Sequence, residues 1–417
     1  MKKQYIWLIV AALFFLLPAC NNLTTEPDDD GDNPYNPIQL TTKQSGFVEE
    51  GNAFSLRLLE KVGKHAIDKG EGNWFVSPLS LQIALGMLLN GAQGETADEI
   101  CRMLGYGNGE TAEVNQWCKL MLEQLPKLDK KTELALANAI FYNKEIELKA
   151  PYKDAVGAYY DATLEALDFS KTKASADRIN AWSSEKTKGM IPKVLNEVDP
   201  QALAYLANAL YFKSQWAEKF PKGASGNETF TYEDGGSEKV KMMKLNGKVF
   251  NYSENDLFQM VRLPYGNNAY AMTVLLPKKG RSVQELVAFL AKQGRLPYLG
   301  EAEVDLWLPR FESKYHIDLN DILTDMGMKT AFVPYKADFL AMSDMPSHVD
   351  FVQQDAAIKV DEEGTEAAAV TIIGMKYNSA LPMPPEKVVF HADHPFLYLI
   401  SETSTGAILF AGKYAGK

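Results

Sequence analysis

Residues 361–386, DEEGTEAAAVTIIGMKYNSALPMPPE, constrain the fold more than any other stretch of the chain. The first half is small and β-branched, as in a buried strand. The second half mixes Lys376, Tyr377, Asn378 and Ser379 and closes on Pro382, Pro384 and Pro385, as in an exposed loop. Side chains alternate along a strand. Thr365, Ala367, Ala369 and Thr371 then share one small, uncharged face, while Glu366, Ala368, Val370 and Ile372 share the other. Such a strand enters the middle of a sheet without burying a charge, provided Glu366 faces solvent. Gly364 supplies a pivot, and no proline interrupts 364–381. About ten new backbone hydrogen bonds, each worth about 0.5–1.5 kcal/mol net, plus apolar burial amount to on the order of ten kcal/mol. That rivals the whole stability of an ordinary domain. The segment therefore reads as both at once, a stretch built to be exposed and one able to pair as a strand.

The 417 residues have room for one large domain or two ordinary ones. A hydrophobic share of 46% supports a large core, and a net charge of -11 supplies no basic footprint for nucleic acid. Phe47, Phe54, Leu58 and Val62 recur at helical spacing. Ser77 and Pro78 suit the cap and first turn of a second helix over 81–89. Helical patterns follow over 95–104, 112–125 and 173–188. Strand patterns cover 134–142, 203–212, 240–243, 270–277, 304–308, 388–390, 396–401 and 407–412. Helices early and strands late predict an α+β domain, with no linker dividing it.

The start of the chain has another character. Lys2 and Lys3 precede an apolar run over 5–17, the pattern of a signal peptide, here 1–19. Leu17-Pro18-Ala19-Cys20 resembles the bacterial lipoprotein cleavage box, with Cys20 carrying lipid; an ordinary secretory signal is the other reading. Residues 20–40 read as a polar, acidic tether ahead of a domain at 41–417. The acidic run resembles the surface-export signal of Bacteroidetes lipoproteins. The expectation is an exported outer-membrane lipoprotein, facing outward and touching the membrane only through its lipid. Cys101 and Cys118 fit either a disulfide or buried free thiols.

Catalytic motifs are missing. The five histidines His65, His316, His348, His391 and His394 show no metal spacing, and neither a nucleophile elbow nor a phosphate loop is present. His391 and His394 lie three apart and on a strand would face opposite sides, a poor arrangement for one metal. Ser-x-x-Lys occurs at Ser170–Lys173 and Ser183–Lys186 without its partner motifs. The residues suggest no enzyme, metal or cofactor.

The remaining motifs carry a family resemblance. They are Asn73-Trp74-Phe75-Val76-Ser77-Pro78-Leu79-Ser80, Ala137-Asn138-Ala139-Ile140-Phe141-Tyr142, Ile179-Asn180-Ala181-Trp182, Asn208-Ala209-Leu210-Tyr211-Phe212-Lys213 with Trp216, and Leu308-Pro309-Arg310-Phe311. Glu362-Glu363-Gly364-Thr365-Glu366-Ala367-Ala368-Ala369, His394-Pro395-Phe396 and Leu409-Phe410-Ala411-Gly412-Lys413 complete them. Over nearly all of 46–417 the chain resembles a serpin. That resemblance implies three β-sheets, eight or nine helices and an exposed reactive loop at about 362–385, with 362–369 as its hinge. It also implies a monomeric suicide inhibitor. A trypsin-, chymotrypsin- or elastase-like serine protease cuts the loop, and insertion of the loop traps the acyl-enzyme. Papain-like cysteine proteases are a further target class.

In the family the chain resembles, cleavage follows the seventeenth residue from the first hinge glutamate, which counted from Glu362 implies Asn378–Ser379 as the cut bond. Tyr377 suits a chymotrypsin-like pocket and Lys376 a trypsin-like one. The resemblance assigns Ser77, Ser80 and Asn208 to the shutter where the sheet opens, with Gln354 at the family's histidine position. Trp216 falls at the top of the sheet, and Ser214 stands where glycine is common. A non-inhibitory binding protein of the same fold is the alternative, and a Ser-x-x-Lys hydrolase the third reading.

Overall fold

The computed structural model describes residues 33–365 and 387–416. Cys20 and the 1–19 segment lie outside them, as do Glu366, Ala367, Ala368, Ala369, Lys376, Tyr377, Asn378 and Ser379.

The helical part opens with α1 (Thr42–Lys69). Thr41 caps it in a capping box with Gln44, and Gly70 ends it in the left-handed region. Then come β1 (Trp74–Val76), α2 (Pro78–Leu89), α3 (Gly94–Leu104), α4 (Thr111–Gln124), β2 (Glu133–Asn143), α5 (Ala150–Tyr160), β3 (Thr163–Leu167) and α6 (Thr172–Lys186). The strand-rich part holds β4 (Ala204–Gln215), β5 (Gly226–Thr231), β6 (Ser237–Glu254), β7 (Phe258–Tyr265) and β8 (Tyr270–Pro277). It continues through α7 (Val283–Gln293), β9 (Gly300–Pro309), β10 (Phe311–Asp318), α8 (Asn320–Met326), β11 (Gln353–Val360), β12 (Gly364–Thr365), β13 (Lys387–His391), β14 (Phe396–Glu402) and β15 (Ile408–Tyr414). The α+β class is as expected, with eight α-helices among the described residues. Two of them, α7 and α8, fall among the late strands, where no helix was expected.

The described strands form two hydrogen-bonded sheets rather than three separate ones. One has the order β10-β11-β12-β4-β2-β3. The other runs β1-β15-β14-β8-β7-β6-β9-β13, with β5 on β6. The physical reason is β6, which is 18 residues long. Its start pairs with β5, its end with β7, and a register shift between Leu245 and Lys248 interrupts its pairing with β9. One long strand thus holds β5, β7 and β9 in a single nine-stranded sheet.

The main core lies between the sheets and α1–α4. Helix α2 is apolar all round and buried on nearly every side, directly under β4. A second, smaller core of Phe141, Ile179, Trp182, Tyr205 and Ala209 holds α6 on the other face of β2 and β4. No helix of the described residues is long and apolar enough to cross a membrane.

The ordered unit begins earlier than residue 41. Tyr35 donates to Glu402 Oε1 at 2.8 Å, Ser404 Oγ accepts from Ile38 N at 3.1 Å, and Ile38 is buried. Polar side chains dock these residues, which is why an apolar pattern does not announce them. Cys101 and Cys118 are both free and buried, so they do not pair. Burial pushes their thiols up to about 11 and about 12 respectively.

Candidate functional site: a slot in the six-stranded sheet

Strand β12 is two residues long and sits between β11 and β4. Thr365 opposes Val360 on one side and Ser214 on the other, while Gly364 opposes Gln215. Gly364 is required there by contact. A Cβ would collide with the Ser214 carbonyl oxygen and lie 2.7 Å from Gln215 Cα. Thr365 is buried and points inward, its hydroxyl 2.7 Å from that of fully buried Tyr265. Beyond Thr365, and among the described residues, β4 and β11 do not pair with each other. A cavity of about 570 Å³ opens between them. Asn208 and Leu210 line one side, Gln354 and Ala356 the other, with Ser80 of α2 and Trp182 of α6 at its two faces.

The mouth of this slot is charged and aromatic. Trp216 stacks on Tyr265 at 4.5 Å and donates its Nε1–H to Asp361 O at 2.9 Å. Its backbone N–H donates to Glu363 O at 2.9 Å. Arg310 donates from Nε to Glu362 Oε2 at 3.1 Å and also bonds it through Nη2. Burial raises the Glu362 carboxyl, but the neighbouring Ser225 hydroxyl and Arg310 outweigh it, leaving a net lowering. Glu363 lies 2.8 Å from Lys222 and 3.0 Å from Lys219, which hold its carboxyl below the usual range. The Lys219 contact is off the line of a directed hydrogen bond and is therefore ionic.

The middle of the slot is neutral. Ser77 caps α2, accepting from Ser80 N at 3.3 Å and donating to Leu409 O at 2.7 Å. Gln354 of β11 grips the Ser77 backbone twice. Its Oε1 accepts from Ser77 N at 2.8 Å and its Nε2 donates to Ser77 O at 2.9 Å. On the other strand, Ser80 Oγ donates to Asn208 Oδ1. Asn208 Nδ2 donates to Asn138 Oδ1 at 2.5 Å, and Asn138 donates to Tyr160 O at 2.7 Å. Both strands bordering the slot are thus clipped to the first turn of α2. The geometry brings Ser77, Ser80, Asn208 and Gln354 together, with Trp216 apart at the mouth.

Sequence reasoning missed Arg310, Lys219, Lys222, Asn138 and Tyr265 as partners here. Arg310 and Asn138 stood inside quoted motifs, but nothing local says what they reach. The other candidates are elsewhere. His391 stacks on Trp307 at 3.9 Å, and His394 is 2.7 Å from Asp393 Oδ1 and 2.8 Å from Pro277 O. Ser183 donates to Ile191 O, Ser170 to Asp168, while Lys186 pairs with Glu185 and Lys173 with Asp177.

A family model described as "Serpin (serine protease inhibitor)" matches residues 49–416. Serpin B6 of Pongo abelii is 32% identical over 379 residues, spanning 88% of this chain and 99% of its own. The native state of the thermophilic serpin tengpin aligns with a TM-score of 0.77 at 29% identity, covering 92% of this chain and 97% of that one. Thyroxine-binding globulin in complex with thyroxine aligns at 0.74 and 27% identity, covering 90% and 99%.

Proposed function

The chain belongs to the serpin family, and on that premise we propose that it is a suicide-substrate inhibitor of serine proteases, reaching papain-like cysteine proteases by the same route. One observation carries the reading: Thr365 sits between β4 and β11, facing inward, at the head of a slot of strand width. Continued residue by residue, its register with β4 would bring Met375 opposite Ala204 at the far end of that strand. Ala367, Ala369 and Thr371 would follow Thr365 on the inner face. Glu366 would face outward between Lys213 of β4 and the exposed Lys359 of β11, opposite charges on neighbouring strands.

In the proposed reaction the protease serine attacks the loop carbonyl, the amine side leaves, and the acyl-enzyme forms. The freed loop enters the slot before water arrives. The bond is Asn378–Ser379, with Lys376 and Tyr377 offering shifted registers. No step needs a metal or cofactor. Lipid at Cys20 would hold the inhibitor at an outer-membrane surface.

The test mixes the full-length protein separately with trypsin, chymotrypsin and elastase, runs denaturing gels, and determines the mass of the released C-terminal peptide. A covalent band with a peptide starting at Tyr377, Asn378 or Ser379 is expected. Clean cleavage without a band for every protease supports the non-inhibitory binding protein instead. Lys376→Ala should weaken complex formation with trypsin and spare that with chymotrypsin; equal loss for both removes Lys376 as a primary contact.

A further inference from the structure

The cavity of about 570 Å³ between β4 and β11 falls within the ~300–1,000 Å³ typical of small-molecule sites. Its walls are apolar on both sides of the sheet. Leu81, Leu85 and Leu88 of α2 form one wall, and Ile179 of α6 with Ile191 and Leu195 after it form the other. One polar group in it has no partner. Trp182 of α6 is 4% exposed, lines the cavity, and its Nε1–H makes no hydrogen bond. Its ring is fixed edge-on against Phe141 at 5.8 Å. Nearby hydroxyls are already used: Ser183 donates to Ile191 O at 3.1 Å and Thr187 to Ser183 O at 2.7 Å. Among the described residues, Trp182 alone lines the cavity with a buried side-chain group lacking a partner. A buried donor left unpaired is destabilising, so it calls for an acceptor. An inserted loop would not supply one. In the projected register Val370 and Ile372 would face α6, and the strand's carbonyls would be taken by the ladder.

The charges around the cavity narrow the ligand. Asp199, Asp350 and Asp355 line it with His348, and among the described residues no lysine or arginine does. Asp355 lies 2.9 Å from His316 Nδ1, and Asp199 Oδ1 accepts from Gln201 N at 2.7 Å. An anionic head group would be repelled by these carboxylates away from bulk water. An ammonium head would leave the indole N–H unanswered, because it has no acceptor. Ser80, Asn208 and Gln354 spend their hydrogen bonds on one another and on Ser77 and Asn138. The remaining fit is an apolar body with one uncharged acceptor.

We propose that this cavity binds an uncharged amphiphile, whose carbonyl-type oxygen accepts from Trp182 Nε1 and whose apolar body lies against α2. Such a ligand takes the space that the cut loop would fill, so ligand and inserted loop exclude each other. The exclusion rests on the inhibitory reading above; the binding does not.

The test adds prodan, an uncharged naphthyl ketone whose emission moves to the blue in apolar surroundings, to the uncut full-length protein. Saturable, blue-shifted binding of one prodan per chain is expected. Trp182→Phe keeps an aromatic ring and removes the N–H, and should weaken binding about fivefold, the scale of one lost hydrogen bond. Ala84→Leu fills the cavity from the α2 wall, should also weaken binding, and stands in if Trp182→Phe does not fold. Anilinonaphthalene sulfonate, an anion of similar size, should not displace prodan. No saturable binding, equal affinity in wild type and variant, or displacement by the sulfonate overturns the proposal. Cutting the loop with a non-target protease separates the two readings. A rise in denaturant resistance with release of prodan supports both. A rise with prodan retained places the ligand elsewhere and sinks the proposal. No rise sinks the inhibitory reading and the exclusion with it, while the effect of Trp182→Phe still decides the binding.

Discussion

The mouth and the middle of the slot hold the same two strands with different chemistry. At the mouth, Arg310–Glu362 and the Lys219–Glu363–Lys222 cluster surround a Trp216–Tyr265 stack. In the middle, Ser77, Ser80, Asn138, Asn208 and Gln354 form a chain of neutral amides and hydroxyls. The mouth contains Glu362 and Glu363, so its charges hold the turn leading into β12 as well as the sheet. The middle is already open between unpaired β4 and β11, and neutral hydrogen bonds clip each border separately to the start of α2. Charge therefore sits where β12 is anchored, and neutral polarity where the two strands stand apart.

The largest effect should come from the mouth. Trp216→Ala removes a buried indole, its stack and its bond to Asp361, and should cost about 3–5 kcal/mol in a denaturant titration. A loss under about 1 kcal/mol would mean the aromatic stack is peripheral. Next, Arg310→Met leaves the buried Glu362 carboxylate without its guanidinium. The cost should be about 2–3 kcal/mol, below that of a fully buried pair because Arg310 is half exposed. In the middle, Asn208→Ala strands both Ser80 and Asn138 and should cost about 1–3 kcal/mol, with no change in salt dependence.

The smallest and sharpest test is pH. The carboxyls of Glu362 and Glu363 are depressed in the folded protein. Their contribution is therefore present above the ordinary carboxylate range and lost as pH falls through their folded values. The mouth should loosen in acid, seen as faster hydrogen exchange at Gly364 and Thr365 while Asn208 stays protected. Around pH 6–7 Gln354 itself contributes no change of charge to the wild-type middle. Gln354→His should introduce a slope there, at about the ordinary histidine pKa. Opening of the wild-type middle that follows histidine titration would end the contrast.

Much of this was legible in the chain. The alternation of Thr365 with Glu366 predicted which face turns inward, and the Tyr265 contact agrees for Thr365. Ser77 followed by Pro78 predicted a capped helix start, which the structure has. The partners were not legible. Arg310 meets Glu362 from 52 positions away, and Asn138 faces Asn208 only because β2 and β4 pair in that register. Segment 33–40 reads as tether because its docking relies on single polar contacts with turns and on one buried isoleucine.

By itself the sequence determined the inward turn of Thr365, the α2 cap and the class of fold. Each is a local pattern of size, period and backbone preference, and local patterns survive without knowledge of neighbours. Only the tertiary structure decided that β6 binds nine strands into one sheet, which charges meet at the mouth, and that the hydroxyl at position 214 meets that of Thr132. Those depend on register and on the packing of distant segments, and a one-residue change of register would have exchanged every partner.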